Sequence, residues 1–349
     1  MVKEAETMPQ NRVGDSTLVF HTPPRILSSA AVVGPKEGRG PLGAAFDLAV
    51  DDALYGQKSY EQAEHAIFQE ACERCLNKAN VPKERVQALL GGDLLNQIMA
   101  ASLAARELSI PFLGLYGACS TMAESLILGS ILVDGGYADP VLCAAGSHYC
   151  TAERQYRFPL EYGNQRTMAA QWTVTGTGAC LLGRAEKAEV SVTMATIGQV
   201  VDMGIRDANN MGAAMAPAAA DTLKRHFLDT GRKPQDYDQV ITGDLGQVGS
   251  QILSELMEES GFPLQESRYM DCGLCIFDPQ DDVHAGASGC GCSASVLSAM
   301  ILPRLRSGEW KRVLFMATGA LLSPTTSQQG ETIPGVAHAA VLEGGDAAC

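Results

Sequence analysis

The chain reads as an α/β protein built from two related halves, and three observations lead there. Apolar strand-like runs alternate with helical stretches along the 349 residues. One passage returns, in order and without gaps, 173 residues later (292 − 119). The composition, 46% hydrophobic but only 6% aromatic and with 36 glycines, suits tight turns and close packing of helices on sheets. In chain order the strand candidates are 30–33, 86–91, 110–115, 140–146, 179–183, 189–197, 239–243, 312–317 and 336–342. The helix candidates are 60–78, 96–106, 121–133, 218–229, 248–260 and 294–306. Such alternation favours mostly parallel sheets covered by helices. Pro82, Pro111 and Pro140 stand at element starts, where a missing N–H costs little. Residues 149–172 are polar, aromatic and poorly periodic, and read as a long functional loop.

The repeat is specific in its order. Cys119-Ser120 opens a helical run that ends at Leu132-Val133-Asp134-Gly135 and leads to the strand closing at Gly146. Cys292-Ser293 opens another, ended by Leu305-Arg306-Ser307-Gly308, with a strand closing at Gly319. The interval is 27 residues both times (146 − 119 and 319 − 292). Upstream, Ala88-Leu89-Leu90-Gly91-Gly92-Asp93-Leu94 matches Gln239-Val240-Ile241-Thr242-Gly243-Asp244-Leu245 at a shift of 151. The expected division is an extension over 1–15, a first half over 16–187 carrying the Cys119 turn, and a second half over 188–349.

Charge narrows the function. With 26 Lys plus Arg against 40 Asp plus Glu, a formal net charge of −14 argues against nucleic acid. The opening residues carry no apolar core of a secretory signal, and no run reaches 18 apolar residues, so a chain at most peripheral to a membrane is expected. Eleven cysteines then read as reduced thiols. The pairs Cys72/Cys75 and Cys272/Cys275 lie far apart in sequence and read as packing, not zinc.

Gly117-Ala118-Cys119-Ser120 follows an apolar strand and opens a helix. A thiol there faces unpaired N–H groups and the positive end of the dipole, which lower its pKa. Strand, Gly-Ala-Cys-Ser, helix and duplicated half together resemble the thiolase-like fold of thiolases and ketoacyl-carrier-protein synthases, in which this Cys accepts an acyl group. More narrowly, Gly34-Pro35-Lys36-Glu37-Gly38, Gly40-Pro41-Leu42-Gly43, Gly92-Asp93-Leu94-Leu95-Asn96-Gln97, Thr151-Ala152-Glu153-Arg154-Gln155, the run 214–222 and the run 317–325 are similar to the stage V sporulation protein AD family. The resemblance spans about 16–343. It implies two pseudo-symmetric α/β halves in an α-β-α-β-α arrangement and a homodimer. It also implies binding of dipicolinic acid (pyridine-2,6-dicarboxylate), or of its calcium complex, during uptake into the forespore. The expected place is peripheral, on the cytoplasmic face of the forespore inner membrane, beside other proteins of the uptake system.

The condensing machinery looks incomplete. The place of the ketoacyl-synthase His reads Thr242-Gly243-Asp244, and that of the Asn falls on Cys290. An Asp beside a Cys raises the thiol pKa. Val283-His284-Ala285-Gly286-Ala287-Ser288-Gly289 resembles a thiolase His word one residue short, so an acyltransferase using Cys119 with His284 or His148 is the alternative. For a flat dianion, Cys119, Asp93, Asn96, His148, Arg154, Tyr156 and Arg157 are the candidate ligand contacts, with Arg166 nearby. Asp93 could equally cap the following helix. No resident cofactor or metal is expected; calcium would arrive with the ligand.

Overall fold

The structure is a computed structural model and describes residues 9–156, 166–185 and 189–345. Ten strands follow one path: Tyr269–Asp271, Gln239–Thr242, Arg312–Ala320, Gly335–Gly344, Val190–Thr196, Arg25–Val33, Gly176–Gly183, Val141–Ser147, Ala88–Gly92 and Phe112–Gly114. Between Val190–Thr196 and Arg25–Val33 the path is joined by one residue pair, Ser191 opposite Arg25. Each side of that join is a five-stranded run of the same order and sense. The outer three strands pair in parallel, and the two inner pairings are antiparallel. The sequence repeat is thus a repeat of topology.

The helices complete five layers. Thr121–Asp134 and the helical stretch from Cys290 to Arg306 lie between the two runs. Met122, Leu126, Val296 and Leu302 share one apolar cluster with Cys143 and Leu182 of one run and Phe315 and Leu342 of the other. Tyr60–Ala79 and Met99–Leu108 cover the first run's outer face through Ile67, Phe68, Ala104 and Leu108. Met211–Thr230 and Gly246–Glu259 cover the second through Leu223, Phe227, Leu253 and Met257. Val141–Ser147 is buried along its whole length, as expected of a strand with helices on both faces.

Three elements depart from the sequence expectation. The helix expected at 218–229 starts at Met211, capped by the Asn210 side chain, and runs through Pro217. The proline lies near enough to the N-terminus for the loss of one backbone bond to be absorbed by packing. The expected loop 149–172 begins with the helix Tyr149–Tyr156. The helix expected from 96 is a 3-10 turn, Asn96–Ile98, with left-handed Gln97 and Ile98, before Met99–Leu108. Among the described residues no helix is long and apolar enough to cross a membrane.

Candidate functional site

Cys119 sits in the 3-10 turn Ala118–Ser120 that feeds the helix Thr121–Asp134. Ala118 takes a left-handed backbone (φ 52), a conformation few non-glycine residues adopt. Gly319, the end of the repeated strand, presses on this turn. A Cβ there would come within 2.5 Å of the Gly117 carbonyl. The two copies of the repeat therefore meet at the cysteine.

The partner of the sulfur is a carboxyl. Asp244 follows the strand Gln239–Thr242 and lies beside Cys119, near enough for its charge to act on the thiol. Its Oδ1 accepts from the Thr318 hydroxyl at 2.8 Å and its Oδ2 from the Gly289 N–H at 2.9 Å. Asp271 fixes the loop that carries it, accepting from Leu245 N, Gly246 N and the Thr242 hydroxyl. Burial pushes the Asp244 carboxyl up to about 6 and Asp271 up to about 7, against the pull of those donors. Burial also pushes the Cys119 thiol well above its usual value, and the Asp244 charge adds to this. The downward shift expected from the helix start is reversed, because desolvation and a like charge outweigh the dipole. Cys290, expected from the sequence at the Asn position of a condensing enzyme, donates its thiol to the Ala118 carbonyl at 3.0 Å.

A cavity of about 270 Å³ opens beside the sulfur. Of the candidate ligand contacts, Cys119, Asn96 and Tyr156 line it. Met211, from a methionine run that the sequence sets against either a partner subunit or the pocket, lines it too, while Leu94, Tyr116, Thr173, Ser288 and the segment Ala320–Ser323 with Thr326 were not legible. The Tyr116 hydroxyl lies 3.2 Å from that of Tyr156 and 3.4 Å from Asn96 Oδ1. Tyr156 donates to the Leu94 carbonyl. Lys, Arg and His side chains are absent from this lining among the described residues.

The remaining site candidates lie elsewhere. Asp93 is buried and accepts from Leu95 N (2.8 Å) and Ala101 N (2.7 Å), the capping role. His148 is buried with Nε2 on the Ala53 carbonyl (2.7 Å), while Nδ1 accepts from Cys150 N. Arg154 points outward and pairs with Glu61 at 2.9 Å. His284 has Nδ1 on the Thr167 carbonyl and Nε2 on Asp282, both ring nitrogens turned to partners other than Cys119. Arg157 lies outside the described residues. Cys72 and Cys75 pack in the outer layer of the first run, Cys272 and Cys275 in the middle layer.

The fold is thiolase-like, and Cys119 at its strand-to-helix turn lies beside an acid instead of an imidazole. Solved structures agree on the fold. An OleA variant from Xanthomonas campestris matches at TM-score 0.61 and 14% identity, covering 93% of this chain and 99% of that one. The 3-oxoacyl-[acyl-carrier-protein] synthase III from Aquifex aeolicus VF5 matches at 0.58 and 13%, covering 92% and 99%. The family model for stage V sporulation protein AD (SpoVAD) matches residues 14–343, and the chain belongs to that family. It is 48% identical over 330 residues to the stage V sporulation protein AD of Bacillus subtilis (strain 168), covering 95% of this chain and 97% of the relative.

Proposed function

We propose that this SpoVAD-family protein binds dipicolinic acid in the cavity beside Cys119, as the calcium complex in preference to the free dianion, and serves its uptake into the forespore. The observation that carries the reading is the pairing of Cys119 with Asp244. A thiol held protonated by a buried carboxyl is a poor acyl acceptor and an acceptable cavity wall. Leu94, Leu321 and Leu322 offer flat apolar surface, and Asn96, Tyr116, Ser323 and Thr326 offer polar groups. A dianion would meet a cavity whose described lining has no cation, with Asp244 behind it. The one-to-one calcium complex is uncharged, and its metal accepts the hydroxyl and amide oxygens present. Calcium is cargo in this reading.

The protein would act at the cytoplasmic face of the forespore inner membrane, held there by other proteins of the uptake system. A homodimer suits the edge strand Phe112–Gly114, where Leu113 is 54% exposed and nearby Tyr116 51%. Calorimetry on the intact chain with calcium dipicolinate is the test: saturable heat that weakens about tenfold in Asn96→Ala is expected. No heat at millimolar complex overturns the proposal. One observation favours an acyltransferase instead, the cavity-facing position of Cys119 at a strand-to-helix turn. An acyl adduct on the intact mass after exposure to acyl-CoAs, lost in Cys119→Ala, would decide for it.

A further inference from the structure

On the far side of the cavity wall lies a second, cationic nook. Trp172–Thr173 pairs with Ala287–Ser288 in a two-stranded ribbon. Thr173 and Ser288 line the cavity, so alternation turns Trp172 to the opposite face. There Tyr149 stacks on one side of the indole, with centroids 3.8 Å apart and planes within 8°. The Lys36 ammonium sits 3.9 Å from the ring centroid and the Arg166 guanidinium 4.7 Å. With Tyr149 covering one face, both cations crowd the other. Burial pulls the Lys36 amine down and Arg166 adds to this as a like charge, against the opposite charges of Asp281, Asp282 and Glu37.

The buried carboxyl beside Lys36, that of Glu37, is turned to the Thr175 N–H, from which its Oε1 accepts at 2.9 Å, and burial pushes it up to about 7. Lys36 enters no ion pair among the described residues. The Arg166 side chain is 7% exposed, yet its Nη1 is buried without a hydrogen-bond partner. The carboxylate that does reach Arg166, at 2.8 Å, belongs to Asp282, which is 74% exposed and also holds His284 Nε2 at 2.8 Å. A buried guanidinium served by a carboxylate hanging in solvent is a site filled from outside. In a chain of net charge −14, two cations held over one indole need a reason beyond packing, because their repulsion costs stability.

We infer that Lys36, Arg166 and Trp172 form a binding site for a small carboxylate anion, which Asp282 occupies as an intramolecular stand-in until an acid displaces it. Lys36 and Arg166 match the two charges of a free dicarboxylate, which the cavity disfavours. The identity of the acid, calcium-free pyridine-2,6-dicarboxylate, rests on the function proposed above; the carboxylate site does not. The nook and the cavity share the ribbon and the helix Tyr149–Tyr156, whose Tyr149 faces one and Ala152 and Tyr156 the other.

The test is calorimetry of the intact chain with pyridine-2,6-dicarboxylate in the presence of chelator. Asp282→Asn removes the competing carboxylate and is expected to tighten binding about tenfold. Lys36→Gln is expected to loosen it about fivefold and to flatten its salt dependence. Asn96→Ala, in the cavity, is expected to leave it unchanged, which separates this site from the cavity reading. An Asp282→Asn variant that binds no tighter than the parent, or a Lys36→Gln variant with parental affinity, overturns the proposal. Should Asp282→Asn fail to fold, Trp172 emission in a Trp310→Phe background decides on the parent site. A saturable change with the calcium-free acid supports it, and no change at millimolar acid sinks it.

Discussion

Replacing Asp244 by Asn isolates the charge at the centre of the site. The carboxyl is fully buried and titrates near 6 instead of 3.8. At roughly 1.4 kcal/mol per pKa unit, keeping it ionised in the folded chain costs about 3 kcal/mol. The sign follows from a raised carboxyl pKa. Below pH 3.8 both folded and unfolded chains hold the proton and the cost is absent. It accumulates as pH rises toward 6 and is complete above. The amide is nearly isosteric and can keep both contacts. Its oxygen accepts from Gly289 N, and its NH2 donates to Thr318, whose hydroxyl can turn from donor to acceptor. Asp244→Asn is therefore expected to stabilise the chain at pH 8 by up to about 3 kcal/mol, or about 5 °C in melting temperature, and to match the parent near pH 4. Scanning calorimetry from pH 4 to 8 measures this. A difference of constant size at every pH, or a variant less stable at pH 8, refutes the argument that an uncompensated charge is what Asp244 carries. The same variant should raise the alkylation rate of Cys119 at pH 8, since the like charge that lifts the thiol is gone.

Gly319→Ala drives a Cβ into the Gly117 carbonyl and against Ser120 N. It should destabilise by about 1–3 kcal/mol and lower ligand affinity in calorimetry, because the Cys119 turn must move. Arg154→Ala breaks an ion pair in which both side chains are over 40% exposed. It should change stability by less than about 0.5 kcal/mol and leave calcium dipicolinate binding unchanged. His226 is buried between the Thr196 and Tyr237 hydroxyls, at 2.7 and 2.6 Å, and burial pushes it down to about 3. Its contribution is whole above pH 6.5 and is lost as pH falls toward 3. His226→Gln, which does not titrate there, should show a shallower acid limb in denaturant midpoints measured from pH 7 to 4.

The alternation and the repeat were legible because burial on both faces writes strands as unbroken apolar runs. The five-layer order follows from the family resemblance, and the strand path bears it out. Asp244 was readable too, since the shift of 151 sets it opposite Asp93. The two copies have since parted in role: Asp93 caps a helix, while in the second half Asp271 holds the loop and frees Asp244 for the sulfur. Arg154 misled because residues 149–172 read as a loop. Once Tyr149–Tyr156 is a helix, Ala152 and Tyr156, four apart, share the face toward the cavity. Arg154, two positions from each, is swung to the far side. The wall formed by Ala320–Ser323 carries no periodic signal; a strand end and a short helix at Pro324–Gln328 place it, and only tertiary structure sets their position.

The sulfur's surroundings also bear on the proposal that a cleft of thiolase-like fold binds without reacting. Acyl transfer asks for a thiolate, and a thiolate asks for a cation or an imidazole to take its proton. Here the nearest titratable neighbours of Cys119 are Asp244 and Cys290, both of which become negative when they ionise. Every deprotonation in the cluster thus makes the next one harder, so with Asp244 ionised above about pH 6 the thiols of Cys119 and Cys290 are held protonated. A cluster with no positive charge beneath an apolar cavity favours an uncharged guest over a dianion, and it leaves the positive charge to Lys36 and Arg166 across the ribbon. Under the proposed reading, separating cation from thiol lets the same framework meet an acid without activating the cysteine beside it.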